Sequence, residues 1–316
     1  MSERLIGDPD GIATLAAQVA AQIGIPAVHV EKDFWVTEVL RGVTASANEQ
    51  GVPIIFKGGT SLSKAFGIIS RFSEDVDILV LLSDEDSSGA KDRTLKALVK
   101  GAEAATGLES QPDPGSTSKG LKRGARFYYR GGGQAGGVSE GVFLELGSRG
   151  GRLPSDLMEV TSLIASHAHE SIAGTIEAEP VSVLVMDPLR TLVEKLIILH
   201  TTHSDDAGQD AARNARHYYD VHQLLSRGDV ISRLNSAQVA FYADDVCTYS
   251  SLASRPASRR PASGFAGSPA FTGGAFVNMS RSAYEVQVLA QLVWPGAPHP
   301  SFEECVDIVR INGGLL

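Results

Sequence analysis

The sequence predicts an α/β lobe followed by a helical lobe, on three observations. Residues 53–56 form an apolar run that leads into Gly58-Gly59, a short helical stretch and a second apolar strand holding Asp75 and Asp77. From Asp187 onwards the apolar residues recur at helical spacing. The texture changes near Val185, so the boundary is drawn there, with residues 1–185 as the α/β lobe and 186–316 as the helical lobe.

Taken in order, residues 12–23 and 31–43 each carry apolar side chains at helical spacing, and two opening helices are expected. The strand, glycine turn, helix and strand described above follow. Residues 92–105 read as a helix and 107–120 as a polar loop rich in Pro, Gly and Ser. Strands are expected at 125–130 and 142–146, separated by the glycine-rich stretch 131–141, and another at 181–186. Asp187-Pro188 then starts a helix, with a capping acceptor before a proline at the first helical position. Leu189, Leu192, Val193, Leu196 and Leu199 form its apolar stripe. Helical patterns return at 212–225, 236–252, 280–292 and 302–309, and residues 254–274 read as a long loop.

A chain of 316 residues has ample capacity for a core, and 43% hydrophobic with 21% charged residues is ordinary globular composition. No apolar run approaches a membrane span and no signal-peptide pattern opens the chain, so no membrane partner is expected. Two cysteines, Cys247 and Cys305, make neither a disulfide framework nor a zinc site, and a reducing cytoplasm is the simplest setting. The net charge of −9 argues against a broad nucleic-acid-coating surface. It leaves room for a local basic patch: Lys119, Lys122, Arg123, Arg126 and Arg130, then Arg149 and Arg152, read either as a solvated face or as phosphate-binding charge beside the strand with Glu145.

The chemistry concentrates between residues 54 and 79. Gly58 and Gly59 lack a Cβ, so the backbone can turn sharply and let a phosphate approach its amides. The positive end of the following helix would face that phosphate. Asp75 and Asp77 stand two apart in a strand, which puts both carboxylates on one face. Like charges side by side call for a cation, and Mg²⁺, or Mn²⁺, suits oxygen ligands and nucleotide phosphates. Lys57, Thr60, Ser61 and Lys64 surround the turn; the two hydroxyls would hold phosphates, while Lys64 reads equally as a solvated lysine. The pattern is not a Walker A loop, because G-x-x-x-x-G-K-[ST] is not met.

The order GGTSLSKAF…RFSEDVDIL resembles the nucleotidyltransferase signature of the polymerase-β superfamily. More narrowly it resembles the AbiEii/AbiGii toxin family, whose MenT-type members are the toxic half of type IV toxin–antitoxin pairs. VEKDFWVTEVL (30–40), TLVEKLIILH (191–200) and RNARHYYDVHQLL (213–225) resemble three further motifs of that family. The resemblance implies a polymerase-β-like lobe with a mixed sheet plus a C-terminal helical lobe, and a cleft between them. It implies transfer of a nucleoside monophosphate from an NTP to RNA, most plausibly the tRNA 3′ end, with two-metal catalysis. A cognate antitoxin encoded nearby is implied by the family alone. Glu145 is the candidate third metal ligand, where the superfamily more often has aspartate. Lys195 would bind the triphosphate, beside a solvated Glu194. Arg213, Arg216 and Asp220, at helical positions 0, 3 and 7, would share a face and complete the site.

Rival readings keep the fold but change the acceptor to a small hydroxyl compound or a protein side chain, or drop catalysis for a nucleotide-binding module. Ser73, two residues before Asp75, reads either as a turn-capping serine or as a phosphorylation site. A phosphate there adds about −1.5 to −2 charges and would compete with the triphosphate. His200 and His203 form an isolated HxxH. Tyr128, Tyr129, Tyr218 and Tyr219 read as core or as base-stacking rings. Arg255, Arg259 and Arg260 read as an RNA grip or as part of a mobile loop.

Overall fold

The computed structural model describes residues 4–73, 75–131, 139–151, 154–204, 210–250 and 256–316. Arg152 and Arg255 lie outside them. Contacts divide the chain into two compact units: Met1–Phe66 with Phe72–Val185, and Gly67–Arg71 with Met186–Leu316. The pentapeptide Gly67–Arg71 thus joins the second unit although it stands between elements of the first.

The first unit opens with α1 (Pro9–Ile23), capped by the Asp8 side chain on the Gly11 amide and stopped at left-handed Gly24. The long α2 (Ala27–Glu49) follows. Then come β1 (Ile54–Lys57), α3 (Gly58–Lys64), β2 (Asp75–Val80) and α4 (Ser88–Thr106). After these run β3 (Glu109–Ser118), β4 (Lys122–Tyr128), β5 (Val142–Gly147), β6 (Ser155–Val160), α5 (Leu163–His167) and β7 (Val181–Met186). Among the described residues the strands make one sheet in the order β3-β4-β5-β2-β1-β7-β6. It is mixed: β3–β4, β4–β5 and β1–β2 are antiparallel, whereas β2–β5 and β1–β7 are parallel.

Two strands depart from the sequence expectation. Residues 107–120 are not a loop; they contain the edge strand β3. Pro112 and Pro114 hide it from a pattern search, yet an edge tolerates prolines because half its amides need no ladder partner. The strand β6, SDLMEV, lacks a clear alternation of buried and exposed positions and so left no signal.

One face of the sheet is the core. Val76, Ile78, Leu144, Leu146, Ala125 and Phe127 are buried there. Phe34, Val39, Leu40 and Val43 of α2 and Leu95 and Leu98 of α4 are fully buried as well, and the two helices pack against each other and the sheet.

The second unit is helical. It holds α6 (Pro188–Ser204), α7 (Ala211–Asn214), α8 (Arg216–Leu225), α9 (Gly228–Ile231) and α10 (Ser236–Ser250). α11 (Pro269–Thr272), α12 (Val277–Ala283), a π-helical stretch Tyr284–Leu292 and α13 (Phe302–Ile311) complete it. Parts of the expected loop at 254–274 are core rather than mobile, because Phe265, Ser268 and Phe271 are buried. Gly67–Arg71 is tied in by an isolated bridge between Arg71 and Val293 and by the Trp294 amide donating to the Ser70 carbonyl. Among the described residues no single helix is long and apolar enough to cross a membrane.

Candidate active site

β1 delivers the chain to Gly58, whose φ of +82° lies in the left-handed region that glycine adopts without strain. A Cβ at this position would run into the Asp77 carboxylate. The turn and β2 therefore meet through a missing side chain. Sheet register gathers the rest. Lys57 faces Asp77 across β1–β2, Asp77 stands beside Glu145 across β2–β5, and Asp75 beside Phe143. Paired positions share a face, so Lys57, Asp75, Asp77, Phe143 and Glu145 lie together opposite the helix-packed core. All five are half-buried.

The residues around the turn brace it from inside. Thr60 is buried and donates to the Asp75 carbonyl at 2.5 Å, and its hydroxyl oxygen lies 2.9 Å from that of Ser73. Ser61, fully buried, donates to the Gly58 carbonyl at 2.9 Å. Their hydroxyls point into structure, which leaves amides rather than hydroxyls as the polar groups the turn can offer. Gly59 occupies the first turn of α3. Lys64 is not solvated; it forms an ion pair with Asp33 of α2. Strand β2 begins at Asp75, so alternation does not extend to Ser73, whose hydroxyl takes up the Thr60 bond instead.

The basic patch is split by the same alternation. Lys122 and Arg126 share the face of Glu145, whereas Arg123 turns to the helix side and meets Asp92 of α4 at 2.8 Å. Lys96 and Arg123 hold the Asp92 carboxyl down at about 2. Arg130 approaches exposed Asp10 at 3.8 Å, and Lys119 is exposed. Glu145 is drawn to Lys122, with Oε2 2.7 Å from Nζ. Consequently the expected trio of carboxylates does not close up, and among the described residues no three Asp, Glu, His or Cys groups gather as a metal would require. Asp75 and Asp77 remain a fitting pair for a hard divalent cation: oxygen donors on one face, with a glycine where a Cβ would fill the space beside Asp77.

In the second unit α6 and α8 build a buried ionic cluster. Asp220 is fully buried and receives Arg71 through two hydrogen bonds, Nε to Oδ1 at 2.6 Å and Nη2 to Oδ2 at 2.7 Å. Lys195 Nζ donates to the same Oδ2 at 2.7 Å, and His217 Nδ1 lies 3.7 Å from it. Burial works to raise the Asp220 pKa, but Arg71 and Lys195 overcome it and hold the carboxyl well below the ordinary value. Burial also lowers the Lys195 pKa, against the pull of Asp220, and Arg71 and Arg216 lower it further. Burial and the Lys195 charge push His217 down to about 3, so it is neutral at pH 7. The expected shared face of Arg213, Arg216 and Asp220 is not kept. The helix is interrupted at Ala215, and Arg213 is exposed while Asp220 is fully buried.

A sequence profile described as nucleotidyl transferase AbiEii toxin, type IV TA system, matches residues 39–272. The chain belongs to the AbiEii family. No curated protein sequence matches it. Seven chains of solved structures are similar, among them MenT4, a nucleotidyltransferase toxin from Mycobacterium tuberculosis H37Rv. That match has 21% identity and a TM-score of 0.44, and covers 67% of this chain and 64% of MenT4.

With the AbiEii family established, the remaining sequence candidates sort by burial. Tyr218 and Tyr219 are fully buried, and Tyr129 stacks on Trp35 at 5.4 Å, so these three are core; Tyr128 is half-buried. The two histidines of the HxxH are structural. His200 bridges the Ser268 hydroxyl and the Arg259 carbonyl, and His203 meets Tyr218 and Ser280. Arg260 donates to the Leu316 carbonyl at 2.7 Å, while the Arg259 side chain is exposed. Glu194 is half-buried near Arg190. Sequence reasoning missed Arg71 and Asp33. The one signal for Arg71 is a lone arginine amid the apolar FGIISRF.

Proposed function

We propose that this AbiEii protein transfers a nucleoside monophosphate from an NTP to RNA, with the 3′ end of tRNA as acceptor, and so arrests translation in the cytoplasm until a neighbouring-encoded antitoxin neutralises it. The observation that carries the proposal is the face holding Asp75 and Asp77, with the Gly58 turn pressed against Asp77 where a Cβ cannot fit. In this reading Asp75 and Asp77 hold magnesium, and Glu145 joins them when it leaves Lys122. Bound magnesium supplies charge neutralisation at the phosphates. The backbone of Gly58 and Gly59 receives the triphosphate, and Lys57, across from Asp77, adds positive charge. In the reaction the acceptor oxygen forms a bond to the α-phosphorus, the bond to pyrophosphate breaks, and the hydroxyl proton is released. In the second unit Arg71, Lys195 and Arg216 outnumber Asp220, a surplus of positive charge that suits a polyphosphate.

The test is incubation of the purified protein with α-labelled NTPs, Mg²⁺ and total RNA. Label is expected in RNA with the wild type and not with Asp77→Asn. Label in protein or small molecules would replace the acceptor, and NTP binding without turnover would replace catalysis with sensing.

A further inference from the structure

On the face of the first unit's sheet that carries Asp75 and Asp77, an aromatic ring interrupts a row of charges, and the half-buried Tyr128 of β4 shares that face. In register, Phe143 of β5 stands between Asp75 of β2 and Arg126 of β4, and its side chain is half-buried. Its strand neighbours Val142 and Leu144 point the other way and are fully buried, so the core is filled without it. The ring reaches over the adjacent strand: at Gly124 a Cβ would sit 2.7 Å from Ser116 Cβ and 2.9 Å from Phe143 Cζ. The Arg126 guanidinium stands 5.1 Å from the ring centroid and is fixed there by donating to the Glu140 carbonyl at 2.8 Å. Lys122 lies on the same face, beside Glu145.

A ring flanked by cations on one side and carboxylates on the other fits a nucleotide, with its base stacked and its phosphate against the cations. The glycine turn lies on the β1 side of Asp77, where the triphosphate is assigned, and that leaves the β5–β4 side for the acceptor. Neighbouring strands are roughly 5 Å apart, about the reach from a base to the 3′ hydroxyl of its own ribose. We propose that Phe143 and Arg126 seat the 3′-terminal nucleotide of a single-stranded RNA acceptor. The base stacks on Phe143, a backbone phosphate meets Arg126 and Lys122, and the 3′ hydroxyl is presented to Asp75. The fate of that hydroxyl rests on the nucleotidyltransferase reading; the binding does not.

The experiment measures fluorescence anisotropy of a 5′-fluorescein single-stranded RNA dodecamer against the full chain without NTP. Phe143→Ala is expected to weaken binding by about 5- to 150-fold, the range that stacking one base on a ring contributes. Phe143→Tyr keeps affinity. Phe143→Leu keeps apolar bulk and the wild-type melting curve but loses the π face, so it must lose affinity too. Arg126→Ala should reduce the slope of log affinity against log salt by about 0.7, one phosphate contact to a single strand. Failure of the wild type to bind the dodecamer, or unchanged RNA affinity in Phe143→Leu, overturns the proposal, as does a defect confined to the KM for NTP. Wild type that binds RNA but transfers no label overturns the proposed function and leaves this seat standing.

Discussion

Replacing Asp220 by asparagine should cost the second unit much of its stability. The carboxylate is fully buried and takes three short hydrogen bonds from two cations. Asparagine keeps one acceptor and turns an amide against the other donors. Arg71 and Lys195, at 3% and 5% side-chain exposure, then lose the carboxylate charge that they share. Breaking a buried pair in this way costs about 3–5 kcal/mol. For a unit of this size that amounts to roughly 10–20 °C in melting temperature. The pH dependence gives a second readout. The folded pKa of Asp220 is below its unfolded value, so on acidification the unfolded state takes up the proton first. The stability from Asp220 is present above about pH 4 and lost below it, and this acid limb should vanish in the variant. Lys195 has a depressed pKa as well, so the folded state releases its proton before the unfolded one, and stability rises as pH climbs toward the ordinary lysine value of 10.5. Without Asp220 that depression deepens, and the variant should recover part of its loss at alkaline pH. Differential scanning calorimetry between about pH 2 and pH 10 reads both effects. A melting temperature within a few degrees of wild type throughout would refute the cluster's role in holding the unit together.

Further outcomes follow from the same geometry. Asp75→Asn should lower nucleotide transfer by roughly 100-fold or more while leaving the melting curve in place, since the carboxylate faces away from the core; wild-type turnover would remove it from the chemistry. Gly58→Ala places a Cβ on a left-handed backbone against Asp77, and should cost at least about 1–2 kcal/mol in a urea titration besides abolishing transfer. Lys195→Arg should rescue NTP use only in part relative to Lys195→Ala, because a planar fork replaces a compact ammonium in a buried space; steady-state kinetics check this. Burial pushes the Glu38 carboxyl up to about 7 against the pull of Arg41. Between the ordinary value of 4.5 and 7 the folded state therefore holds the extra proton, and stability is lost as pH rises through 7. Glu38→Gln should flatten that loss, on the order of 3 kcal/mol, in urea midpoints compared at pH 5 and pH 8.

What was legible depended on whether a residue's role is local. The GG turn, the alternating aspartates and the helix start at Asp187-Pro188 are set by spacing within a few residues, and all are present. Glu145 stands out as the one carboxylate of the apolar strand VFLELG, and register places it beside Asp77. Roles fixed by long-range partners were not readable. Arg71 finds Asp220 across 149 residues, and Lys64 finds Asp33 across 31. The basic run 119–130 looked like one patch because linear density ignores strand alternation, which sends Arg123 to the opposite face from Lys122 and Arg126. The phosphate role given to Thr60 and Ser61 suffered from the same blindness: a hydroxyl next to a glycine turn reads alike whether it points out to a ligand or in to a carbonyl.

The block VEKDFW shows how the face carrying Asp75 and Asp77 is held from behind. Lys32 is fully buried and donates to the carbonyls of Ser139, at 2.8 Å, and Gly141, at the entry to β5. Asp33 pairs with Lys64 at the end of α3 and accepts the Leu163 amide at 2.6 Å, which anchors the start of α5. One turn of α2 thereby grips both the helix that begins at Gly58 and the strand that carries Phe143 and Glu145. A buried ammonium costs several kcal/mol unless polar groups surround it. An apolar residue at position 32 would avoid that cost, but it would leave the two carbonyls without a donor and the entry to β5 without its tie. Thr60 and Ser61 complete the bracing from the turn itself. The carboxylates of Asp75 and Asp77 thus sit on backbone fixed by inward-pointing polar groups, on the face of the sheet opposite the helix-packed core.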